Sequence, residues 1–511
     1  MFVLKQITFV ILASIIFTGC HNKNDIAYTS SDADQASHYV SIDGLWRCTP
    51  QTSLKFPNGT LEPVIIISGA TYQKLTVRAC FLWDSLYYDE WEILSIQFND
   101  STNQLTMVDG NGSTYLGVVD PEMCSITGTA YSGEPNNPVS EDKLDFIRAD
   151  KSQANRLFNP RLPDLTGSIK YTYKQPEQIK DGLQTASVFE YVSDYEAFYD
   201  LMVCLIRQDY GRLESLLIIK DRKLLLEEYF YGYDRTQLHN IHSCTKSVAS
   251  LLLGIALDRH NTLNVEQPIF SFFPQYDSLK TEANEQILLK HLLTMTAGIK
   301  EEEGTENHEP SDKLQYILGL PVESKPGEKF KYCNDCSDLL GWIIYSLEGK
   351  HADLFAEENL FGPLGISRYY WETENGVPHC HSDLYLQSRD LAKIGLLVLD
   401  DGKWHDQQIV PQEWVRESIR PRVAESKYFD YGYQWWYRSR ENVAWWKGED
   451  SRIEDEHDMI IALGYGGQYI MIIKDLDMVV LTTASDYGNG SRARSKVPMV
   501  IEKIVPLFVD N

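Results

Sequence analysis

The sequence predicts an α/β (α+β) chain in which an antiparallel sheet flanked by helices follows a small all-β region. Two observations predict this. Between about residues 38 and 150, short runs rich in β-branched and aromatic residues are separated by turn signals. From about residue 186 onward, strand-like runs lie near both ends of the segment with helical patterns between them, so that both ends supply one antiparallel sheet.

Length and composition set the frame. The chain has 511 residues, of which 43% are hydrophobic and 23% charged, an ordinary globular composition with ample apolar material for a large core. Its net charge of -26, with no basic patch in the sequence, argues against nucleic-acid phosphate as a partner. No acidic block occurs either, so the charge reads as a solvated surface.

Residues 1–19 stand apart. Lys5 supplies a positive start, and the apolar run from Ile7 to Phe17 is too short to span a bilayer. It ends in Phe17-Thr18-Gly19-Cys20, small residues directly before a cysteine, which resembles a bacterial lipoprotein signal with lipidation at Cys20. An ordinary signal peptide with a chance cysteine is the alternative, and either reading exports the mature protein. The expected location is the bacterial cell envelope, with the protein anchored to a membrane through Cys20. Residues 20–37, rich in Asp, Asn and Ser, read as a polar tether.

The all-β region, 38–150, is expected to hold strands at Val64–Ile67, Leu75–Val77, Trp91–Phe98, Leu105–Val108 and Tyr115–Val119, closed by Leu144-Asp145-Phe146-Ile147-Arg148. Pro57-Asn58-Gly59 and Asp109-Gly110-Asn111-Gly112 supply turns. A small antiparallel barrel or sandwich in an accessory role follows from this pattern. Residues 151–185, with Pro160, Pro163 and Pro176, read as a linker to a large domain at 186–511.

Within the large domain, Phe189–Arg207 reads as a helix. Leu216–Lys220 and Lys223–Phe230 read as a hairpin turning at Asp221-Arg222. Helices are expected at Gln286–Met295, Asp338–Glu348 and Leu391–Leu399. Strands at Tyr469–Ile473 and Met478–Thr482 precede a last helix at Val497–Phe508.

Three stretches carry chemistry. In Ser243-Cys244-Thr245-Lys246, the apolar residues Val248, Leu251, Leu252, Ile255 and Ala256 predict a buried amphipathic helix beginning near Ser243. Spacing of three brings the Lys246 amine towards the Ser243 hydroxyl, and a desolvated lysine can take a serine's proton. A serine there is equally suited to cap the helix, and Ser140-Glu141-Asp142-Lys143 has the same spacing. The second stretch is Tyr332-Cys333-Asn334. A tyrosine beside ammonium groups can serve as general base or acid because opposite charge favours the phenolate, while Asn334 could orient Lys246. Tyr487-Gly488-Asn489 matches this pattern too. The third is Gly464-Tyr465-Gly466-Gly467, whose glycines let a backbone or ligand come close to the following strand.

The order Ser-x-x-Lys, Tyr-x-Asn, glycine-rich strand resembles the serine β-lactamase and penicillin-binding protein superfamily. The nearest branch is that of class C β-lactamase-related hydrolases, which includes esterases, D-aminopeptidases and nylon-oligomer hydrolases. Leu292-Leu293-Thr294-Met295-Thr296-Ala297-Gly298, Arg389-Asp390-Leu391-Ala392-Lys393 and Tyr431-Gly432-Tyr433-Gln434-Trp435-Trp436 add to the resemblance, which covers about residues 186–510. It implies a β-lactamase/transpeptidase-like fold and a serine hydrolase without cofactor or metal. Ser243 would be the nucleophile, with Lys246 and Tyr332 moving protons. Asn334, Gly464, Tyr465, Gly466 and Gly467 would bind substrate, the N–H groups of Ser243 and Tyr465 holding the oxyanion.

One departure matters. Ala462-Leu463-Gly464 stands where β-lactam-active relatives carry Lys-Thr-Gly or a His-containing variant, so no cation awaits a substrate carboxylate. A neutral small-molecule or short-peptide ester or amide is the expected substrate. A catalytically inactive penicillin-binding-like protein, or a D-alanyl peptidase or β-lactamase of the envelope, remains the alternative.

The cysteines leave options open. Cys244 and Cys333 read as two small buried residues or as a disulfide pair. Cys333-x-x-Cys336 with His379-Cys380-His381 invites a zinc reading, but no second spaced pair supports it. Trp435, Trp436, Trp445 and Trp446 read as packing or as an aromatic subsite.

Overall fold

The computed structural model describes residues 171–230, 233–300, 312–442, 457–487 and 490–509. It also describes the strands between residues 44 and 149 with some of their turns, and short strands at 444–446 and 449–451. The signal sequence, Cys20, the polar tether, residues 150–170, residues 301–311 and the side chains of Trp445 and Trp446 lie outside the described residues. Among the described residues no helix is long and apolar enough to cross a membrane. The chain divides into two compact units, with the boundary after residue 168.

The first unit is all-β, as its alternating apolar residues require. Its strands are β1 (Gly44–Cys48), β2 (Leu54–Phe56), β3 (Gly59–Ser68), β4 (Thr76–Trp83), β5 (Leu86–Trp91), β6 (Ile93–Asn99), β7 (Gln104–Asp109), β8 (Thr114–Asp120), β9 (Ser125–Glu134) and β10 (Asn137–Ala149). They form one antiparallel sheet in the order β5-β4-β3-β1-β10-β9-β8-β7-β6, with β2 on β3. The two ends of that order, β5 and β6, are separated only by Glu92, so the sheet curls back on itself. Every second residue points inward: Leu105 and Met107, Tyr115 and Val119, Leu144 and Phe146 pack around Trp46.

The second unit is built on a nine-stranded sheet. Its strands are β11 (Gln184–Thr185), β12 (Leu213–Lys220), β13 (Lys223–Tyr229), β14 (Val423–Ala424), β15 (Asp430–Tyr431), β16 (Trp436–Arg438), β17 (Met459–Gly464), β18 (Gln468–Ile473) and β19 (Met478–Ala484). They lie in the order β11-β13-β12-β19-β18-β17-β16-β15-β14. Strand β12 pairs antiparallel with β19, Leu217 opposite Leu481, so both ends of the domain meet mid-sheet as expected. The β12–β13 turn places Asp221 and Arg222 at φ 49° and 63°, the left-handed pair of a tight hairpin that follows strand twist.

Five helices matter to the site and its support: α1 (Tyr195–Ile206), α2 (Cys244–Arg259), α3 (Leu289–Leu293), α4 (Lys313–Leu318) and α5 (Asn334–Glu348). A sixth, α6 (Ser388–Leu399), packs on β12, β18 and β19. Helix α2 is not the amphipathic helix expected from its periodicity. Every residue from Cys244 to Leu257 is buried, because α2 runs through the middle of the core between β17 and α5. A helix enclosed on all sides has no polar face to present.

Other boundaries shift for local reasons. The helix expected from Phe189 breaks, because Ser187 caps a single turn at Val188–Glu190 and Asp194 then caps α1 through Ala197 N. The expected helix Gln286–Met295 shortens to α3, and the C-terminal helix is interrupted by a π-helical turn at Val500–Ile504. Residues 171–185, expected to be linker, are held on the second unit. Tyr171 Oη donates to Glu228 Oε1 at 2.5 Å and Tyr173 Oη to Leu225 O at 2.9 Å.

Candidate active site

The chain enters α2 through a tight turn. Ile241 N donates to Leu384 O at 2.9 Å, which pins the approach. His242 then takes φ 45°, a left-handed conformation costly to a side chain with a Cβ, supported by its N–H bonding to Asn240 Oδ1 at 2.8 Å. Ser243 follows at the helix N-cap position, and its side chain makes no capping hydrogen bond.

Instead Ser243 Oγ faces Lys246. Lys246 Nζ lies 3.2 Å from Ser243 Oγ, 2.8 Å from Asn334 Oδ1 and 2.7 Å from the carbonyl oxygen of His381. The residue is 1% exposed, so three oxygen partners replace the water it has lost. Its ammonium also sits 4.8 Å from the centroid of the Tyr332 ring, which stacks on Trp436 at 5.9 Å.

Helix α5 delivers the Tyr332-Cys333-Asn334 motif. Cys333 occupies its N-cap, with Sγ accepting from Cys336 N at 3.0 Å. Cys333 is also disulfide-bonded to Cys336, a pairing the sequence reading did not name. Cys333 partners neither Cys244 nor zinc, because its sulfur is taken by a residue one turn along. Cys244 is buried and free, as the packing reading had it. Burial pushes its thiol well up, so it is a poor nucleophile beside Ser243.

The glycine-rich stretch closes the other side. A Cβ on Gly464 would lie 2.3 Å from Ile241 O, so only glycine lets the end of β17 pack on the turn before Ser243. Cys244 Sγ donates to Gln468 O at 3.3 Å, tying β18 to the same helix end. Gly466 and Gly467, at φ 82° and 103°, make the turn between these strands, and Tyr465 at its tip is 50% exposed.

The structure therefore brings Ser243, Lys246, Tyr332 and Asn334 together, with Gly464 and Tyr465 packed beside them. It separates the look-alikes. Ser140 and Lys143 lie on strand β10 of the first unit, and Lys143 pairs with Asp145 at 3.1 Å. Tyr487 stands on another wall of the site, with Oη 3.3 Å from His242 Nε2 and its ring 5.4 Å from that of Tyr465. Gly488 and Asn489 lie outside the described residues. Burial pushes the His242 imidazole down, favouring the neutral ring.

Sequence reasoning missed His381, which acts through its carbonyl and so leaves no side-chain signal. It named Tyr465 among the substrate-binding residues but missed the aromatic wall that its ring forms with those of His242 and Tyr487. Of the tryptophans, Trp435 is fully buried packing and Trp436 backs Tyr332.

Comparison with known proteins agrees with this fold. The family described as Beta-lactamase matches residues 212–498. Protein flp of Staphylococcus aureus (strain N315) is 28% identical over 181 residues, 32% of this chain and 36% of that protein. The 6-aminohexanoate-dimer hydrolase of Paenarthrobacter ureafaciens is 23% identical over 256 residues, 45% of this chain and 65% of that protein. Each match thus spans less than two thirds of the relative's own length, at 36% and 65%. Among solved structures, a class C beta-lactamase superposes with a TM-score of 0.50 at 14% identity, over 62% of this chain and 96% of that one. This is a likeness of fold.

Proposed function

Because the chain belongs to the Beta-lactamase family, with residues 212–498 matched, we propose that it is an exported serine hydrolase cleaving a neutral ester or amide through an acyl-enzyme on Ser243. The observation that carries this reading is the buried Lys246 ammonium, held by Asn334 and His381 O and aimed at a Ser243 hydroxyl that caps nothing.

Ser243 Oγ attacks the carbonyl carbon as its proton passes to the Lys246–Tyr332 pair. The carbonyl oxygen gains the negative charge, and the backbone N–H groups of Ser243 and Tyr465 hold it. Collapse breaks the bond to the leaving group, which departs with the transferred proton. Water then attacks the acyl-enzyme by the reverse route, releasing the acid and restoring Ser243.

Substrate charge follows from β17. Ala462-Leu463-Gly464 offers no cation, and the surrounding walls are rings: Tyr332 and Trp436 on one, His242, Tyr465 and Tyr487 on another. Uncharged acyl or leaving groups suit such a lining. The missing cation also supports a second reading, a binding protein of the same fold that recognises substrate without turnover. In the cell we place the enzyme on the exported side of a bacterial membrane, anchored by lipid at Cys20. A Cys20→Ala chain should then lose incorporation of labelled fatty acid.

Intact-mass analysis of the full-length chain in detergent, after treatment with a fluorophosphonate, tests the reading. A single adduct that disappears in Ser243→Ala is expected. No adduct on folded protein favours the binding protein, and an adduct retained by the variant overturns the assignment of Ser243.

A further inference from the structure

We propose that Asp338, His379 and His381 form a binding site for one divalent transition-metal ion, with zinc as the reference ligand, on the far side of the loop that holds Lys246. One donor atom from each residue lies within 4.8 Å of the other two. Two imidazoles and a carboxylate are a common donor set for zinc, whose bonds of about 2.0–2.2 Å close such a triangle with small side-chain rotations.

The supports are rigid. Asp338 lies on α5 one turn beyond Asn334 and is buried at 5% exposure. The two histidines flank Cys380, which is wholly buried against Gly341 of α5, where an added Cβ would lie 2.5 Å from Cys380 Sγ. With Cys380 seated in that notch, the backbone on both sides is also tied down. Trp371 Nε1 donates to His379 O at 2.8 Å, and His381 N donates to Asp338 Oδ1 at 3.2 Å. The rings of His379 and His381 then stand 5.4 Å apart at 74°, and His381 Nδ1 lies 2.9 Å from Asp338 Oδ1.

Three protein ligands leave one position of a tetrahedral ion open. Beside the cluster is a cavity of about 360 Å³ lined by Asp312, Lys313, Asp338, Trp342, Glu374 and His379 among others, which gives that position access to water or a small anion. The site is distinct from Ser243 yet joined to it, because the same His381 that offers a ring nitrogen gives its carbonyl to Lys246 Nζ.

Lys313 supplies the discriminating feature. Its ammonium lies 3.0 Å from Asp338 Oδ2 and 3.2 Å from Glu374 Oε2. Without metal the carboxylate is engaged on both oxygens, Oδ1 lying 2.9 Å from His381 Nδ1 and Oδ2 facing Lys313, so an ion that takes Oδ2 displaces the ammonium and leaves Glu374 as its partner. Lys313 therefore competes with metal, and removing its charge strengthens metal binding. If the cluster is only an internal ion-pair network, removing Lys313 leaves metal affinity unchanged.

The test is calorimetric titration of the full-length, chelator-stripped protein in detergent with zinc sulfate. A parallel titration with cobalt(II) reads low coordination number as intense visible absorption. One zinc per chain is expected, weakened about tenfold or more in His379→Ala and strengthened about tenfold in Lys313→Met. Circular dichroism establishes that each variant is folded; should His379→Ala fail to fold, Lys313→Met carries the test alone. Absence of zinc binding to wild type overturns the proposal. So does binding unchanged in both variants, which would place the ion elsewhere.

Discussion

Lys246 Nζ lies 3.2 Å from Ser243 Oγ, one helical turn away on the same face of α2. The first-turn N–H groups that a capping serine would satisfy are engaged otherwise: Thr245 N with His242 O at 3.0 Å and Lys246 N with Ser243 O at 3.1 Å. The hydroxyl is thus directed at the ammonium and not at the backbone. Replacing Lys246 by Met keeps much of the buried stem but removes the proton carrier. Labelling of Ser243 by a fluorophosphonate should slow by about 10²–10⁴-fold. The variant also leaves Asn334 Oδ1 and His381 O without this donor. Asn334 is exposed and His381 partly so, and water can replace the lost partner, so the stability cost should stay near that of one ordinary hydrogen bond, about 0.5–1.5 kcal/mol. Rate of adduct formation and urea midpoint, measured on the same sample, read the two effects separately.

Much of this arrangement was legible in the sequence, and the reason differs by residue. Ser243, Lys246 and Asn334 were found because their chemistry lies in side chains at short spacings. The sheet was found because β12 and β19 contain the short apolar runs Leu216–Ile219 and Met478–Leu481. His381 was not legible, since a backbone carbonyl has no residue signature, and the Cys333–Cys336 pairing was open because spacing alone sets no connectivity. The burial of α2 on every side was hidden as well. Its polar residues Thr245, Ser247 and Ser250 are all buried, Ser247 donating to Gln434 O at 2.7 Å.

Gly464 offers a sharper test of the third motif than its neighbours do. A methyl group at this position meets Ile241 O at 2.3 Å, and a backbone oxygen in the pinned turn before Ser243 has little room to yield. Gly464→Ala should push the end of β17 away from the nucleophile. Overpacking of this kind costs about 1–3 kcal/mol, and displacement of an oxyanion donor costs about 10²–10³-fold in rate. Denaturant unfolding together with the labelling rate of Ser243 checks both. Unchanged labelling would show that β17 does not position the reacting group.

The Cys333–Cys336 bridge encloses Asn334, the residue that accepts from Lys246. Its loop is short, so the chain-entropy contribution is about 2 kcal/mol. Both sulfur-bearing residues are nearly inaccessible, at 3% and 1% exposed. Native protein treated with a mild reductant should therefore keep both cysteines protected from alkylation, with reduction following only on unfolding. A Cys333→Ser/Cys336→Ser variant should lose about 2 kcal/mol in urea unfolding. Alkylation of both cysteines in the folded protein would contradict their burial.

His242 makes stability depend on pH in a defined direction. Burial is the main cause of its lowered pKa, and Lys246 adds to it, while Asp383 and Glu214 act in the opposite sense. The folded chain therefore binds this proton less readily than the unfolded chain, whose imidazole titrates near 6.5. Above that value neither state is protonated here, and His242 makes no pH-dependent contribution. As pH falls below 6.5 the unfolded chain takes up the proton first, so stability declines until the folded state's lower pKa is passed. Asn tolerates the left-handed backbone at this position and does not titrate. His242→Asn should therefore flatten the decline in melting temperature on going from about pH 7.5 to about pH 5. A variant whose melting temperature falls as steeply as that of wild type would mean that the decline comes from other groups.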